Sequence, residues 1–215
     1  CSNQVCLGQL KVEDKSNEIP AVPELLKLLY IKGAIVTLDA MGAQEDTVKQ
    51  IRESDADYVI TLKGNQGALH ETVKDSFILH DKGSDVIKVY RADAEIIADH
   101  GRIEERFIEV MSTEKLKNLI DPRWTDLKSI GRITYTRTEP SGEIIVEKRH
   151  LISSLAPDNP SRILHAARTH WQVENSLHWS LDVTFNEDNC RIRDENAAVN
   201  FSWMRKFALG LLKNE

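Results

Sequence analysis

The hydrophobic pattern of this chain predicts an α/β fold, on three observations. Two short continuous apolar runs, Ala34 to Leu38 and Tyr58 to Leu62, flank a helical stretch. Strand, helix, strand over so short a span reads as a βαβ unit with a parallel pair. Between Asp81 and Leu155 the grammar changes to short alternating strands, and beyond them an amphipathic helix spans Ile163 to Asp182.

Taken in order, a strand-like run from Val5 to Val12 opens the chain. Pro20 and Pro23 introduce a short helix over Glu24 to Tyr30, which Gly33 closes as a C-cap. The first apolar run then ends in Asp39, and Gly42 leads into a helix from about Glu45 to Glu53. The second run ends in Lys63-Gly64-Asn65-Gln66, followed by a helix over Leu69 to His80. In the β-rich block, Arg102 to Val110 is one strand. Arg132 to Arg137 and Glu143 to Ser153 form a hairpin around the turn Glu139-Pro140-Ser141-Gly142. Asn159-Pro160 caps the long helix, proline being tolerated at the first helical position. A last helix, about Asn196 to Leu212, carries Ala197, Phe201, Met204, Ala208 and Leu211 as its apolar stripe. These elements divide the chain into residues 1–80, an α/β part; 81–155, a β-rich insertion; and 156–215, a helical C-terminal part.

Composition narrows the function classes. The 215 residues are 41% apolar and 29% charged, ordinary for a soluble globular protein. No apolar run approaches the ~20 residues of a membrane span, and no signal peptide is visible. Three cysteines, Cys1, Cys6 and Cys190, lack metal-ligand spacing, and their odd number argues against a disulfide framework. A reducing cytoplasm fits. The start at Cys1, without a methionine, reads as a fragment. The net charge of −6 argues mildly against a protein that coats nucleic acid. Its acidic excess is N-terminal, so a polyanion would meet local basic clusters in the second half.

Glu174 is the first residue with a chemical claim. At ~100° per residue, Ile163, Ala167, His170, Glu174, Leu177, His178 and Leu181 share one helix face. Arg162, His165, Arg168, Thr169, Gln172 and Ser176 lie opposite. A carboxylate pressed toward a core must be paired, protonated or metal-bound. Asp39 is the second. In parallel sheets ligands bind beyond the carboxyl ends of strands, so Asp39 and Lys63 should emerge at one edge. There Asp39 is either a turn former or a ligand. Convergence of Asp39 and Glu174 would create an oxygen-rich site for Mg²⁺ or Mn²⁺.

The run from His170 to Trp179, reading HWQVENSLHW, continues as Leu181-Asp182-Val183-Thr184-Phe185 and Glu187-Asp188. With Lys15 to Ile19, Asp39 to Gly42, Leu62 to Gln66, His100 to Glu104 and Asn196 to Phe201, it resembles the H-repeat-associated insertion-sequence transposases. These are similar to other DDE transposases, and the resemblance spans nearly the whole chain. It implies a ribonuclease-H-like core interrupted by a β-rich insertion, and an Asp, Asp, Glu metal-binding triad. Asp39 matches the second aspartate and Glu174 the glutamate. The implied activity is Mg²⁺- or Mn²⁺-dependent cleavage at the element's ends, where water attacks a phosphodiester. Attack of the freed 3′-hydroxyl on target DNA follows. The matching position of the first aspartate has no counterpart here, Asp14 and Glu18 falling too late. The expectation is therefore a truncated transposase that lacks its first core strand and is inactive as it stands. The alternative is a non-catalytic remnant that binds DNA or a partner protein.

Lys63, Asn65, Arg102, Arg106, Arg168, Arg191 and Arg193 are the candidate DNA contacts, with transposon ends and target DNA as partners and a homo-oligomer in the DNA complex. Arg102 and Arg106 share a strand face with Glu104, and the bland account of them is cross-strand ion pairing. Lys63 could equally pair with a nearby acid. His170, Glu174 and His178, spaced i, i+4, i+8, could instead hold one metal, or the histidines could simply pack beside Glu174. Trp171 and Trp179 either stack on bases or pack the helix.

Overall fold

The computed structural model describes residues 5–10, 18–99, 102–172, 177 and 179–213. Helix α1 spans Ala21–Lys27 with Pro20 as its N-cap, so it begins before Pro23 rather than after it. Proline is compatible with a first turn, whose N–H groups have no intrahelical partner. Gly33 caps no helix. Its φ of +75° instead turns the chain into β1, Ile35–Leu38, with its N–H bonded to Asp55 O at 2.9 Å. Residues 5–10 form no strand.

Helix α2, Glu45–Glu53, and strand β2, Asp57–Leu62, complete the unit. β1 and β2 pair in parallel, Leu38 opposite Ile60. A 3₁₀ turn at Gly64–Gln66 leads into α3, Gly67–Asp81. Then come β3 (Val89–Asp99), β4 (Arg102–Ser112), β5 (Ser129–Thr138) and β6 (Ile144–Ser153). β5 and β6 are the expected hairpin, Thr138 opposite Ile144.

All six strands form one mixed sheet in the order β1-β2-β6-β5-β4-β3. The β-rich block adds its strands to the parallel pair through antiparallel bonding of β6 to β2. On one face, Val59, Ile108, Val110, Ile133 and Leu151 pack with Ile163, Leu164 and Ala166 of α4, Pro160–Gln172. The opposite face carries Ile60, Met111, Ile130 and Ile152, all buried. Further along the strands the sheet is open, and Ile96, Ile103, Ile144 and Val146 are exposed. Asn159 Oδ1 accepts the Arg162 N–H at 3.1 Å, the cap expected for α4.

Two compact units result, residues 31–167 and residues 1–30 with 168–215. The first holds the sheet. In the second, a π-helical turn at Ser180–Thr184 precedes α5, Glu195–Leu212, whose N-cap Asp194 accepts the Ala197 N–H at 2.8 Å. The stripe expected on α5 largely faces solvent. Phe201, Met204 and Leu211 are exposed, whereas Leu209 is buried. The helix is apolar nearly all round, so periodicity does not choose its inner face.

Candidate functional site

The geometry begins with the parallel pair. Because β1 and β2 run the same way, Asp39 and Lys63, each one residue past its strand, leave the sheet at the same edge. Both are exposed. Asp39 Oδ1 accepts the Met41 N–H at 3.1 Å and the Gly42 N–H at 3.2 Å. The turn-former and ligand readings of Asp39 are thus compatible: one oxygen orients the side chain, and among the described residues Oδ2 makes no hydrogen bond. The turn is compact because of Gly42. A Cβ there would lie 2.8 Å from Leu38 Cβ, a clash close to the backbone.

The loop after β2 reaches across to this turn. Asn65 Nδ2 donates to Ala40 O at 2.6 Å, and Gln66 Nε2 to Ala43 O at 2.7 Å and Gln44 Oε1 at 3.3 Å. Asn65, singled out as a DNA contact, therefore spends one amide hydrogen inside the protein. Gln66 closes the Leu62 to Gln66 motif, and the sequence assigns it no role. Its signal was an amide beside a glycine turn at a strand's end.

The other basic candidates are placed variously. Arg106 binds Glu104 Oε2 at 2.7 Å and lies over the Tyr135 ring at 5.9 Å. That pair joins residues i and i+2 of one strand, not neighbours across the sheet as expected. Arg102 opens β4 opposite Asp99. Arg149 lies over the other part of this cluster, 5.2 Å from the Tyr135 ring, and it holds Glu147 below the ordinary carboxylate range, with Lys63 adding to the effect. Burial raises the Tyr135 hydroxyl pKa. Arg168 is half-buried, and Arg191 and Arg193 are exposed before α5; all three belong to the second unit.

Glu174 and His178 lie outside the described residues, so of the two acidic candidates only Asp39 has a described position. On the same helical stretch Ile163 and Leu181 are buried and His170 and Trp171 half-buried, while Trp179 is exposed. Among the described residues no three His, Cys, Asp or Glu side chains could hold a metal together, and none of the helices is long and apolar enough to cross a membrane. Asp39 fits a hard cation as a single oxygen ligand.

In the second unit, a hydrogen bond from Arg205 and the Ile192 backbone N–H draw the Cys190 thiol below its ordinary pKa. Cysteine spacing gives no sign of this, because Arg205 is remote in sequence.

The family profile described as Transposase DDE domain matches residues 2–211. YncI of Escherichia coli O157:H7 is 40% identical over 99% of this chain and 54% of its own length. YbfL of E. coli K12 is 39% identical over 99% of this chain and 56% of its own. YhhI, an H repeat-associated protein of E. coli K12, is 38% identical with the same coverage. YncI and YhhI both carry the word transposase in their names. The chain thus spans about half the length of the curated relatives it matches. Among solved structures, that of Streptomyces venezuelae DesVI aligns with a TM-score of 0.25 at 11% identity, over 63% of this chain and 50% of that one, and assigns no fold.

Proposed function

Since the chain belongs to the DDE transposase family, we propose that it carries part of the metal-dependent apparatus that cuts and joins DNA, with Asp39 and Glu174 as acidic ligands. The observation that carries this reading is Asp39. It is an exposed carboxylate at the carboxyl edge of a parallel pair, with one oxygen oriented by the amides of its own turn. Such an oxygen donor suits Mg²⁺ or Mn²⁺. When bound, that ion would supply charge stabilisation at phosphate oxygens. Lys63, at the same edge, is suited to hold a backbone phosphate as a point charge. Asn65, Arg102, Arg106, Arg168, Arg191 and Arg193 are the further proposed contacts to element ends and target DNA.

The mixed sheet is compatible with a ribonuclease-H-like core in which residues 81–155 are the insertion and 156–215 carry the glutamate. We place the protein in the cytoplasm, as a homo-oligomer when on DNA. The 215 residues match two of the three acidic positions, so strand cleavage by these residues alone is not expected.

Titration with Mn²⁺ tests the site. Binding that weakens at least tenfold in Asp39→Asn and in Glu174→Gln supports it. Metal-independent DNA binding, unchanged in both variants, would replace it with a non-catalytic DNA-binding remnant.

A further inference from the structure

The turn that bears Asp39 is packed through Ala40, Gly42 and Ala43, which are buried, but its long-range hydrogen bonds are few among the described residues. β1 is four residues long, half-buried along its length, and among the described residues pairs only with β2. Beyond it, residues 39–44 make short local bonds: Gly42 N–H to Asp39 O at 3.2 Å, Ala43 N–H to Ala40 O at 3.3 Å, and Gln44 N–H to Gly42 O at 2.9 Å. Bonds confined to one turn fix its shape but not its place in the molecule. Among the described residues, the long-range hydrogen bonds that tie it down are the side-chain bonds from Asn65 and Gln66 to Ala40 O, Ala43 O and Gln44 Oε1.

The arrangement is reciprocal. The carbonyls at 40 and 43 are gripped from outside, while the amides at 41 and 42, between them, point to Asp39 Oδ1. A peptide plane is rigid, so fixing the carbonyl of Ala40 fixes the N–H of Met41 on the same plane. The grip on Ala40 O therefore aims one of the donors that orient the carboxylate. Gln66 holds the far end of the same turn, just before α2. The 3₁₀ turn at Gly64–Gln66 sets the two amides next to each other, and the parallel pairing of β1 with β2 brings them to the Asp39 edge.

We propose that Asn65 and Gln66 are positioning residues for Asp39: they lock its turn to the end of β2 and so preset the carboxylate for its cation. The inference rests on the reading of Asp39 as a metal ligand. Partners that hold a metal-ligating carboxylate typically change affinity by about 10- to 100-fold when lost.

The test uses the 215-residue chain with Asn65→Leu and Gln66→Met, which keep bulk and remove the amide, and with Asp39→Asn as reference. Three quantities are measured: Mn²⁺ affinity, hydrogen exchange at the Met41 and Gly42 amides, and the thermal midpoint. The expected result is Mn²⁺ binding at least tenfold weaker and exchange at least tenfold faster in each amide variant, with a midpoint shift under about 4 °C. Mn²⁺ affinity and exchange both equal to wild type in the two variants would overturn the inference. Should wild type and Asp39→Asn bind Mn²⁺ alike, the metal-ligand reading fails, and the inference falls with it. Faster exchange at Met41 and Gly42 in the variants would then still report the physical clamp, so the two failures are told apart.

Discussion

His150 shows how one residue reports its surroundings. It sits on β6 with Nδ1 3.4 Å from His70 Nε2 and its ring stacked on Phe77 at 5.9 Å between centroids. Burial, and then the charges of His70, Arg132, Lys74 and Lys148, push its pKa down to about 4. The unfolded chain would therefore take up a proton that the folded one refuses between about pH 6.5 and pH 4. Stability associated with this group is fully present above pH 6.5 and declines as pH falls through that window. Discounted for partial exposure, the loss is about 1 kcal/mol. His150→Gln should flatten this part of a stability profile measured by urea unfolding at successive pH values. An unchanged slope would mean other groups carry it.

Elements are joined by an ionic network whose centre, Glu109 and Arg132, is buried while Arg91 and Asp81 are exposed. Arg132 of β5 bonds Glu109 of β4 and both oxygens of Asp81, at the end of α3, at 2.7 Å. Arg91 of β3 bonds Glu109 Oε1 at 3.0 Å and His80 Nε2 at 2.8 Å. Glu109 and Arg132 are both 6% exposed, so removing one partner leaves a buried charge poorly paired. Arg132→Met should destabilise by about 3 kcal/mol in denaturant unfolding, and adding Glu109→Leu should recover much of the loss. If the double variant is no more stable than the single, burial of the charge is not the cause.

Which elements were legible follows from their chemistry. The runs at 34–38 and 58–62 stand out because both of their sides are largely apolar, and the β5–β6 hairpin because its turn contains proline and glycine. β3 escaped notice because Arg91 to Glu95 interleaves charges with alanines and its register slips between Ala92 and Glu95. The alternation after Val5 suggested a strand, yet residues 5–10 join no strand ladder among the described residues; alternation without a partner strand builds no ladder.

For the whole molecule, the charge distribution sets how DNA would be met. The acidic excess lies in the first hundred residues, and the proposed contacts are cations scattered along the sequence. Under the transposase reading, DNA binding by this chain should weaken as salt rises, and Lys63→Ala should reduce the slope of log affinity against log salt by about 1. Fluorescence anisotropy with a labelled duplex checks this. A slope unaltered by Lys63→Ala would remove that lysine from the interface.

Local order in the chain sufficed for most of the strand and helix pattern, for the family, and for proposing Asp39 and Glu174, because hydrophobic period and side-chain chemistry are properties of neighbouring residues. The sheet's strand order, the exposed side of α5, the Cys190–Arg205 contact and the grip of Asn65 and Gln66 on the Asp39 turn belong to the folded arrangement. Each depends on residues that meet only after the backbone has doubled back, and a hydrogen bond spanning 25 positions, such as that from Asn65 to Ala40, leaves no periodic trace in the order of amino acids.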